Sequence, residues 1–558
     1  MTATTAAGRP ISVPSGLDAR TQALAITLAF VGVRLLACPF IGLGVDESYT
    51  VSISRELSLS YFDHPPLHQW IVYAFEGLLG SGTLLRLPFI LLSALASWLM
   101  FVVTSRLFGA RAGVWATLGF NIAGFFTAVA GSWILPDGPL DVGILGAAAG
   151  LAVILFPATP SVAPAPWRSW LIVGLCLGLA GLSKYQAVFF GLGLALYFTT
   201  TPGRWRVLLH PAPIVAAGIA LSMISPVFVW NARHGWVSFV FQGARGAVSH
   251  GAQPLQVVVA LLGQAGLLLP WIFAPLAVAA LRAVPAGWRD PRRWFCLMLG
   301  APAIVVFSLT PLWGKPALPH WSMSGWLMLF PLLGDWLARS AADHRWPRRW
   351  AALSTAATLA LWTLFAGDSA GAWAKALVPA LVQDPTIELV SWTHLRQVVA
   401  RRRARPGCLF LAALNWREGG KIGASAGDLA PVRVLSADPR GFGFLKTPPD
   451  LTGCDALVIG QQRALASRAA DLAGLFASVR PFAVDREGRR GLDEIEVSVL
   501  DARGLKAPLP PPYGLTAEGL AGARAAGTVA AAGDRGDGRA AWRQVSGIRP
   551  ARANSVQN

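Results

Sequence analysis

Gly44-Val45-Asp46-Glu47-Ser48-Tyr49 follows an apolar stretch at 22–41, and Tyr61-Phe62-Asp63-His64-Pro65-Pro66-Leu67 comes soon after. About twenty apolar residues are enough to cross the roughly 30 Å hydrocarbon core of a bilayer. Two acids therefore stand where a membrane helix ends, with a third acid, a histidine and a rigid Pro-Pro pair close behind. Ionisable groups beside a bilayer are costly to keep, so a cluster of them there marks a candidate functional site.

The rest of the chain agrees with a membrane setting. Of its 558 residues 54% are apolar and 14% charged, and mean hydropathy is +0.51; a soluble chain would carry about 25% charged residues. Apolar runs predict a mainly α, polytopic bundle of about eleven spans. They lie near 22–41, 82–105, 112–131, 138–157, 167–183, 186–201, 208–230, 254–281, 294–311, 318–338 and 350–367. The formal net charge of +18 could signal nucleic acid, so its distribution decides. With a cytoplasmic N-terminus, the inside segments collect arginines, among them Arg106, Arg111, Arg204, Arg206, Arg292, Arg293, Arg348 and Arg349. The outside segments hold Arg55, Lys184, Arg233, Arg245 and Lys315. That bias is the positive-inside pattern, and it leaves no reason to invoke nucleic acid. Asp46, Glu47, Asp63 and His64 then face outward, and an odd number of spans puts the C-terminal region there too.

The predicted organisation is a cytoplasmic N-terminal segment at 1–21, a membrane domain at 22–383 with its first outer loop at 42–81, a soluble extracytoplasmic domain at 384–505 and a disordered tail at 506–558. Short apolar runs (Cys408–Leu414, Val432–Leu435, Ala456–Ile459, Ile495–Leu500) between helix-like segments make the soluble part a small α/β domain. The tail, from Pro508-Leu509-Pro510-Pro511-Pro512 onward, is rich in Ala, Gly and Arg. The N-terminal segment is polar and shows no cleavable signal. Cys38, Cys176 and Cys296 fall in apolar spans and read as small hydrophobes; Cys408 and Cys454 could pair in an oxidising compartment, which spacing leaves open. Gly174, Gly178 and Gly181 suit close helix packing.

The outward polar groups form one set. Asp46, Glu47, Asp63, His64 and His68 come from the first loop, Asp137 and Asp141 from the third, and Lys184 from the end of the fifth span. Arg233 and His234 follow the seventh, and Lys315 and His320 flank the gap before the tenth. Such a set suits a displacement at carbon with phosphate as the leaving group. A carboxylate takes the proton of the attacking hydroxyl, and cations stabilise the charge left on phosphate. Single displacement needs one base, unlike the carboxylate pair of glycoside hydrolysis.

Asp46-Glu47, Asp63-His64-Pro65-Pro66-Leu67, Pro136-Asp137-x-Pro139-Leu140, Gly178-Leu179-Ala180-Gly181-Leu182-Ser183-Lys184-Tyr185 and Trp230-Asn231-x-x-His234-Gly235-Trp236 resemble the bacterial GT-C glycosyltransferases. The resemblance is to family 39, the protein-mannosyltransferase-like group, and its aminoarabinose-transferase relatives, over roughly residues 20–340, and it extends into the C-terminal domain at Asp384-Pro385-Thr386 and Asp438-Pro439-Arg440. It implies a polyprenyl-phosphate-linked sugar as donor and a glycolipid such as lipid A, a glycan or a protein as acceptor. Transfer would be inverting, on the outer face of the bacterial inner membrane. It also implies Asp46 as the base, with Glu47 assisting or organising the site, and donor contacts from Asp63, His64, Asp137, Lys184, Arg233, His234, Lys315 and His320. Asp63-His64 stand where aminoarabinose transferases usually show Glu-Lys before Pro-Pro, and histidine is a pH-dependent phosphate ligand. No cofactor is required by these motifs, and a divalent cation held by the acids and histidines stays open.

Plainer readings compete. Asp46 could cap the helix after it, Glu47 could pair with Arg55, and Asp63-His64 and Asp137-Gly138-Pro139 could be turn chemistry. Arg233 and Trp236 could mark the lipid interface. A transporter or flippase of a lipid-linked saccharide would also need cations near lipid phosphate, but transporters concentrate polar groups at mid-membrane within repeated halves. Here the charges sit at span ends and no repeat is visible. Transfer of a phospho-headgroup to a glycolipid is a second enzymatic alternative.

Overall fold

The computed structural model describes residues 18–157, 167–245, 251–314, 316–378, 384–446, 450–489, 492–510 and 512–514. Most of the predicted N-terminal segment, Lys315 and the tail beyond 514 lie outside them. The chain begins with α1 (Ala19–Ala37), the loop helices α2 (Val45–Ser54) and α3 (Leu67–Leu79), and then α4 (Leu87–Phe108). Among the described residues seven helices are long and apolar enough to cross a bilayer, or eight if a pair bent by 81° is one span.

That pair is α5 (Ala110–Ile122) followed by α6 (Gly124–Thr127) and α7 (Val129–Ser132). Arg34 of α1, fully buried, fills the elbow. Its Nε donates to the Thr127 carbonyl at 3.1 Å, its Nη2 to the Phe126 carbonyl at 3.1 Å, and both terminal nitrogens reach Asn121 Oδ1. Carbonyls released at a break must find donors inside a membrane protein, and this arginine supplies them. A Cβ on Gly131 would stand 2.6 Å from Arg34 Nε, so only glycine fits there.

The bundle continues through α8 (Asp137–Leu155), α9 (Trp167–Ser183), α10 (Ala187–Thr200) and α11 (Pro211–Arg233), then a surface helix α12 (Val237–Arg245). The small residues of α9 act as their spacing anticipates. A Cβ on Gly174, Gly178 or Gly181 would come within 2.6 Å of Ala216, Met223 or Ile224 of α11.

Beyond the bent 112–131 stretch, two further predicted spans differ from expectation. The stretch 254–281 is two helices, α13 (Pro254–Leu268) and α14 (Pro270–Ala283), because Pro270 has no N–H to continue the ladder and Leu269 takes a φ of 74°. After α15 (Pro291–Leu309), the stretch 318–338 is broken into a short turn, α16 (Met323–Leu327) and α17 (Phe330–Asp343), with Pro319 and Pro331 at the starts of pieces. The last long helix is α18 (Trp346–Gly371), followed by α19 (Trp373–Leu377).

The C-terminal unit holds α20 (Leu395–Arg403), α21 (Trp416–Ala426) and a five-stranded sheet: β1 (Leu409–Ala413), β2 (Val432–Val434), β3 (Asp455–Gln461), β4 (Phe476–Arg489) and β5 (Leu492–Leu505), in the order β2-β1-β3-β5-β4. β1 pairs parallel with β2 and β3, and β5 runs antiparallel to β3 and β4. Cys408 and Cys454, just ahead of β1 and β3, form a disulfide.

This unit is wedged against the first loop. Gly420 and Gly423 of α21 let α2 approach so closely that a Cβ would meet Tyr49 N at 2.8 Å or overlap Ser52 Oγ. Lys421 Nζ, buried, donates to the carbonyls of Leu43, Glu388 and Val390 at 2.5, 2.7 and 2.9 Å. Tyr49, Ile53 and Tyr61 of the loop share one core with Leu409, Leu411, Ile422 and Val499. The sequence division at 384 therefore separates the strands but not the packing: loop 42–81 belongs to both units.

Candidate active site

α2 carries the two neighbouring acids, and its two faces treat them differently. Glu47 is buried, and all its acceptor positions are used. Oε1 accepts from Arg86 Nε at 2.8 Å and the Ile134 N–H at 3.1 Å; Oε2 accepts from Arg86 Nη2 at 2.5 Å and the Gly44 N–H at 2.9 Å. Arg86 spends its remaining donors on the carbonyls of Ile41 and Gly42. Glu47 thus clamps the end of α1, the start of α4 and the turn before α8 together. Its partner is Arg86, while Arg55, the partner considered from the sequence, pairs with Glu76 at 2.9 Å.

Asp46, one residue earlier, is exposed. Asp63 of the same loop and Arg440, Arg417 and Glu388 further along the chain are the charges that act on it. Burial by surrounding protein, then the negative charge of Asp63, raise the Asp46 carboxyl above its usual range.

Asp63 is 6% exposed. Its Oδ1 accepts from Arg440 Nη1 at 2.7 Å and its Oδ2 from the Tyr49 hydroxyl, while Gln242 of α12 donates to its carbonyl at 2.6 Å. Arg440 comes from the loop after β2. It also donates through Nε to Asp438 at 3.1 Å, and it lies over the rings of Phe241 at 4.7 Å and Trp416 at 5.0 Å. Tyr513 donates to Asp438, accepts the Arg440 N–H at 3.2 Å and stacks on Phe62 at 5.0 Å. Tyr513, within the stretch where the sequence suggested disorder, is thus docked against the loop after β2.

A second group sits at the helix ends. Lys184, closing α9, pairs with Asp137, opening α8, at 2.7 Å with both buried, and Asp141 lies one turn on. His68 of α3, also buried, has its imidazole held well below the usual range, by burial first and then by the neighbouring His64 and Lys184, so it is neutral. His64 and His68 meet edge-on at 5.8 Å. The segment Asp63–His68 therefore links the two groups.

At the end of α11, Asn231 builds the turn. Its Oδ1 accepts the Ser238 N–H at 3.1 Å and its carbonyl the Trp236 N–H at 2.7 Å, with Gly235 and Trp236 both at positive φ. His234 stacks on Trp230 at 4.1 Å and donates from Nδ1 to the Trp230 carbonyl at 2.7 Å. Arg233 is exposed at the same end. His320 belongs to the turn Pro319–Ser322, which packs on α13 and α15 and sets its ring edge-on to Trp321. Among the described residues no three His, Cys, Asp or Glu side chains group as a metal set.

Sequence reasoning missed Arg86, Tyr49, Arg440, Asp438 and Tyr513 as members of the site. Arg86 carried a signal, a lone arginine inside a predicted span. Arg440 lies far along the chain, and nothing in the sequence says that it returns to Asp63.

Comparison with known proteins bears on the family and the fold. The family described as dolichyl-phosphate-mannose-protein mannosyltransferase matches residues 63–230. The lipid A galacturonosyltransferase RgtD of Rhizobium johnstonii is 25% identical over 318 residues, 54% of this chain; the chain spans 61% of that relative's length. The crystal structure of ArnT from Cupriavidus metallidurans bound to undecaprenyl phosphate superposes with a TM-score of 0.57 at 17% identity, covering 88% of this chain and 100% of ArnT. Its apo form does so equally, at 87% and 98%. The fold is therefore the GT-C fold: a multi-pass helical membrane domain with the loop and C-terminal unit gathered at one end. The chain is thus similar, in sequence over residues 63–230 and in fold over most of its length, to GT-C glycosyltransferases of the ArnT-like type.

Proposed function

We propose that the chain transfers a sugar from a polyprenyl-phosphate carrier to an acceptor hydroxyl at the outer face of the bacterial inner membrane, with inversion at the anomeric carbon. The observation that carries this reading is the division among the acids. Glu47, Asp63 and Asp137 each hold a cation at 2.7 Å or less, whereas Asp46 alone of the four is exposed. An open carboxylate whose proton affinity is raised is what a general base needs.

In the reaction the acceptor hydroxyl gives its proton to Asp46 as its oxygen attacks the anomeric carbon, and the bond from that carbon to the phosphate oxygen breaks. The phosphate passes from one negative charge to two, so cations placed near it are worth more in the transition state than in the ground state. Lys184 with Asp137, the His64–His68 pair, Arg233 with His234, Lys315 and His320 are assigned to the donor side. Asp63 positions the loop between the two groups, and Glu47 fixes the helix that carries the base.

The outward orientation is supported by the arginine bias of the opposite segments and by the disulfide, which suits an oxidising compartment. RgtD acts on lipid A by its name and ArnT is seen with undecaprenyl phosphate, which favours a lipid-linked donor and a glycolipid acceptor over a glycan or protein. Mass spectrometry of envelope glycolipids and glycoproteins from a deletion strain tests this. A sugar should vanish, return with the wild-type gene and stay absent with Asp46→Asn. If the deletion instead only piles lipid-linked sugar on the inner leaflet, the protein is a transporter.

A further inference from the structure

The base is presented by the first loop, but the charge beside it is set from the far end of the chain. Asp63 from the same loop, Arg440, and Arg417 with Glu388, which pair with each other, are the charges that act on Asp46, and Asp63 and the Gly441 N–H next to Arg440 both bond the hydroxyl of Tyr49, one turn on from Asp46 along α2. The other charged groups on the elements packed against α2 are already engaged: Glu47 with Arg86, Arg55 with Glu76 of α3, and Lys421 of α21 with three carbonyls. Glu418 of α21 is turned toward Gly460 of β3. Asp63 is then the one carboxylate bearing on Asp46 that is nearly buried, and Arg440 is the cation that compensates it.

Three features of Arg440 exceed what a surface ion pair needs. Its guanidinium joins Asp63 and Asp438 while lying over Phe241 and Trp416, so it is held on several sides. Burial works against its charge, and Asp63 with Asp438 outweighs burial and keeps it protonated. Its backbone has a φ of 51°, a conformation unfavourable for a non-glycine residue that tends to mark functional positions. The next residue must be Gly441, because a Cβ there would stand 2.5 Å from the Tyr49 hydroxyl that binds Asp63.

We propose that Arg440 is a positioning residue of the active site: delivered by the C-terminal unit, it neutralises and orients Asp63, so that Asp46 remains ionised and open as the base. The site is complete only when the C-terminal unit is docked. This rests on the reading of Asp46 as the base. Without Arg440, Asp63 and Asp438 add uncompensated negative charge next to Asp46, which binds its proton more tightly and is idle over a wider range of acid pH.

The test uses the full chain in detergent, with the lipid extract of the deletion strain as source of donor and acceptor and mass spectrometry of the product. Arg440→Gln should lower kcat at neutral pH about tenfold with KM for the lipid donor nearly unchanged, and move the acid limb of the profile up by about one pH unit. Arg440→Lys, which keeps the charge, should lose no more than a few-fold and leave the limb in place. If Arg440→Gln is unstable on thermal unfolding, the lysine variant alone decides: a limb shifted with the charge retained overturns the proposal. An unmoved limb in a folded Arg440→Gln also overturns it. Asp46→Asn measured alongside separates the two claims. An inactive Asp46→Asn with an unmoved Arg440→Gln limb removes the positioning role and leaves the base; an active Asp46→Asn removes both.

Discussion

The two faces of α2 carry adjacent acids with opposite fates. On the membrane-facing side Glu47 is enclosed by Arg86 and two backbone N–H groups, every lone pair used. On the side facing the C-terminal unit Asp46 is exposed, and the cation nearby is committed to Asp63. A buried pair holds its geometry at the expense of reactivity, because desolvation and attraction nearly offset each other and removal of one partner strands the other. An exposed acid keeps its lone pairs for a proton. The lesson is that a run of two carboxylates can be one clamp and one reagent, divided by which way each points from a helix.

The comparison can be broken from the clamp side first. Glu47→Ala should cost about 3–5 kcal/mol, since it leaves Arg86 buried without its counter-ion; thermal unfolding in detergent should show a large fall, with activity lost in proportion to folded protein. A melting point near wild type would mean that Glu47 does not clamp. Next comes the seam that presents the other face. Gly423→Leu forces α21 away from Ser52 and should destabilise by about 1–3 kcal/mol, with transfer falling more than stability because α2 shifts. Equal losses of both would argue that the seam only holds the unit on.

The smallest effect is in pH. Burial and Asp63 raise the Asp46 carboxyl, and the base must be ionised to act. Activity therefore falls as pH drops through that raised value, and the acid limb of kcat/KM lies above that of a free aspartate, about 4. His68 is held neutral and contributes no second limb near pH 6. A limb at 4 or below would show Asp46 in a fully hydrated setting.

How legible this was follows from where each signal lived. Span ends and facing charges are local, so Asp46, Asp63, Asp137 and Lys184 could be picked out from residue type against an apolar background, and Lys184 does meet Asp137. Gly174, Gly178 and Gly181 announced close packing that α11 provides. Breaks inside apolar stretches were harder. Hydropathy stays high across Leu269-Pro270, so 254–281 read as one span although a proline and a positive φ divide it. β4 was missed because Arg480, Pro481, Asp485 and Arg486 interrupt its pattern. It is an edge strand, where proline and charge are tolerated. Long-range pairing left no trace: Arg440 and Asp63 stand 377 residues apart, and Tyr513 looked like part of a low-complexity tail.

The account stands or falls on Asp46 taking the proton. The most direct measurement is the rate of sugar transfer by purified full-chain Asp46→Asn, at the same folded fraction as wild type, on membrane lipid extract. A fall of about a hundredfold or more, with the melting temperature held, is expected for a lost general base. A rate within a few-fold of wild type would contradict it and hand the role to another group.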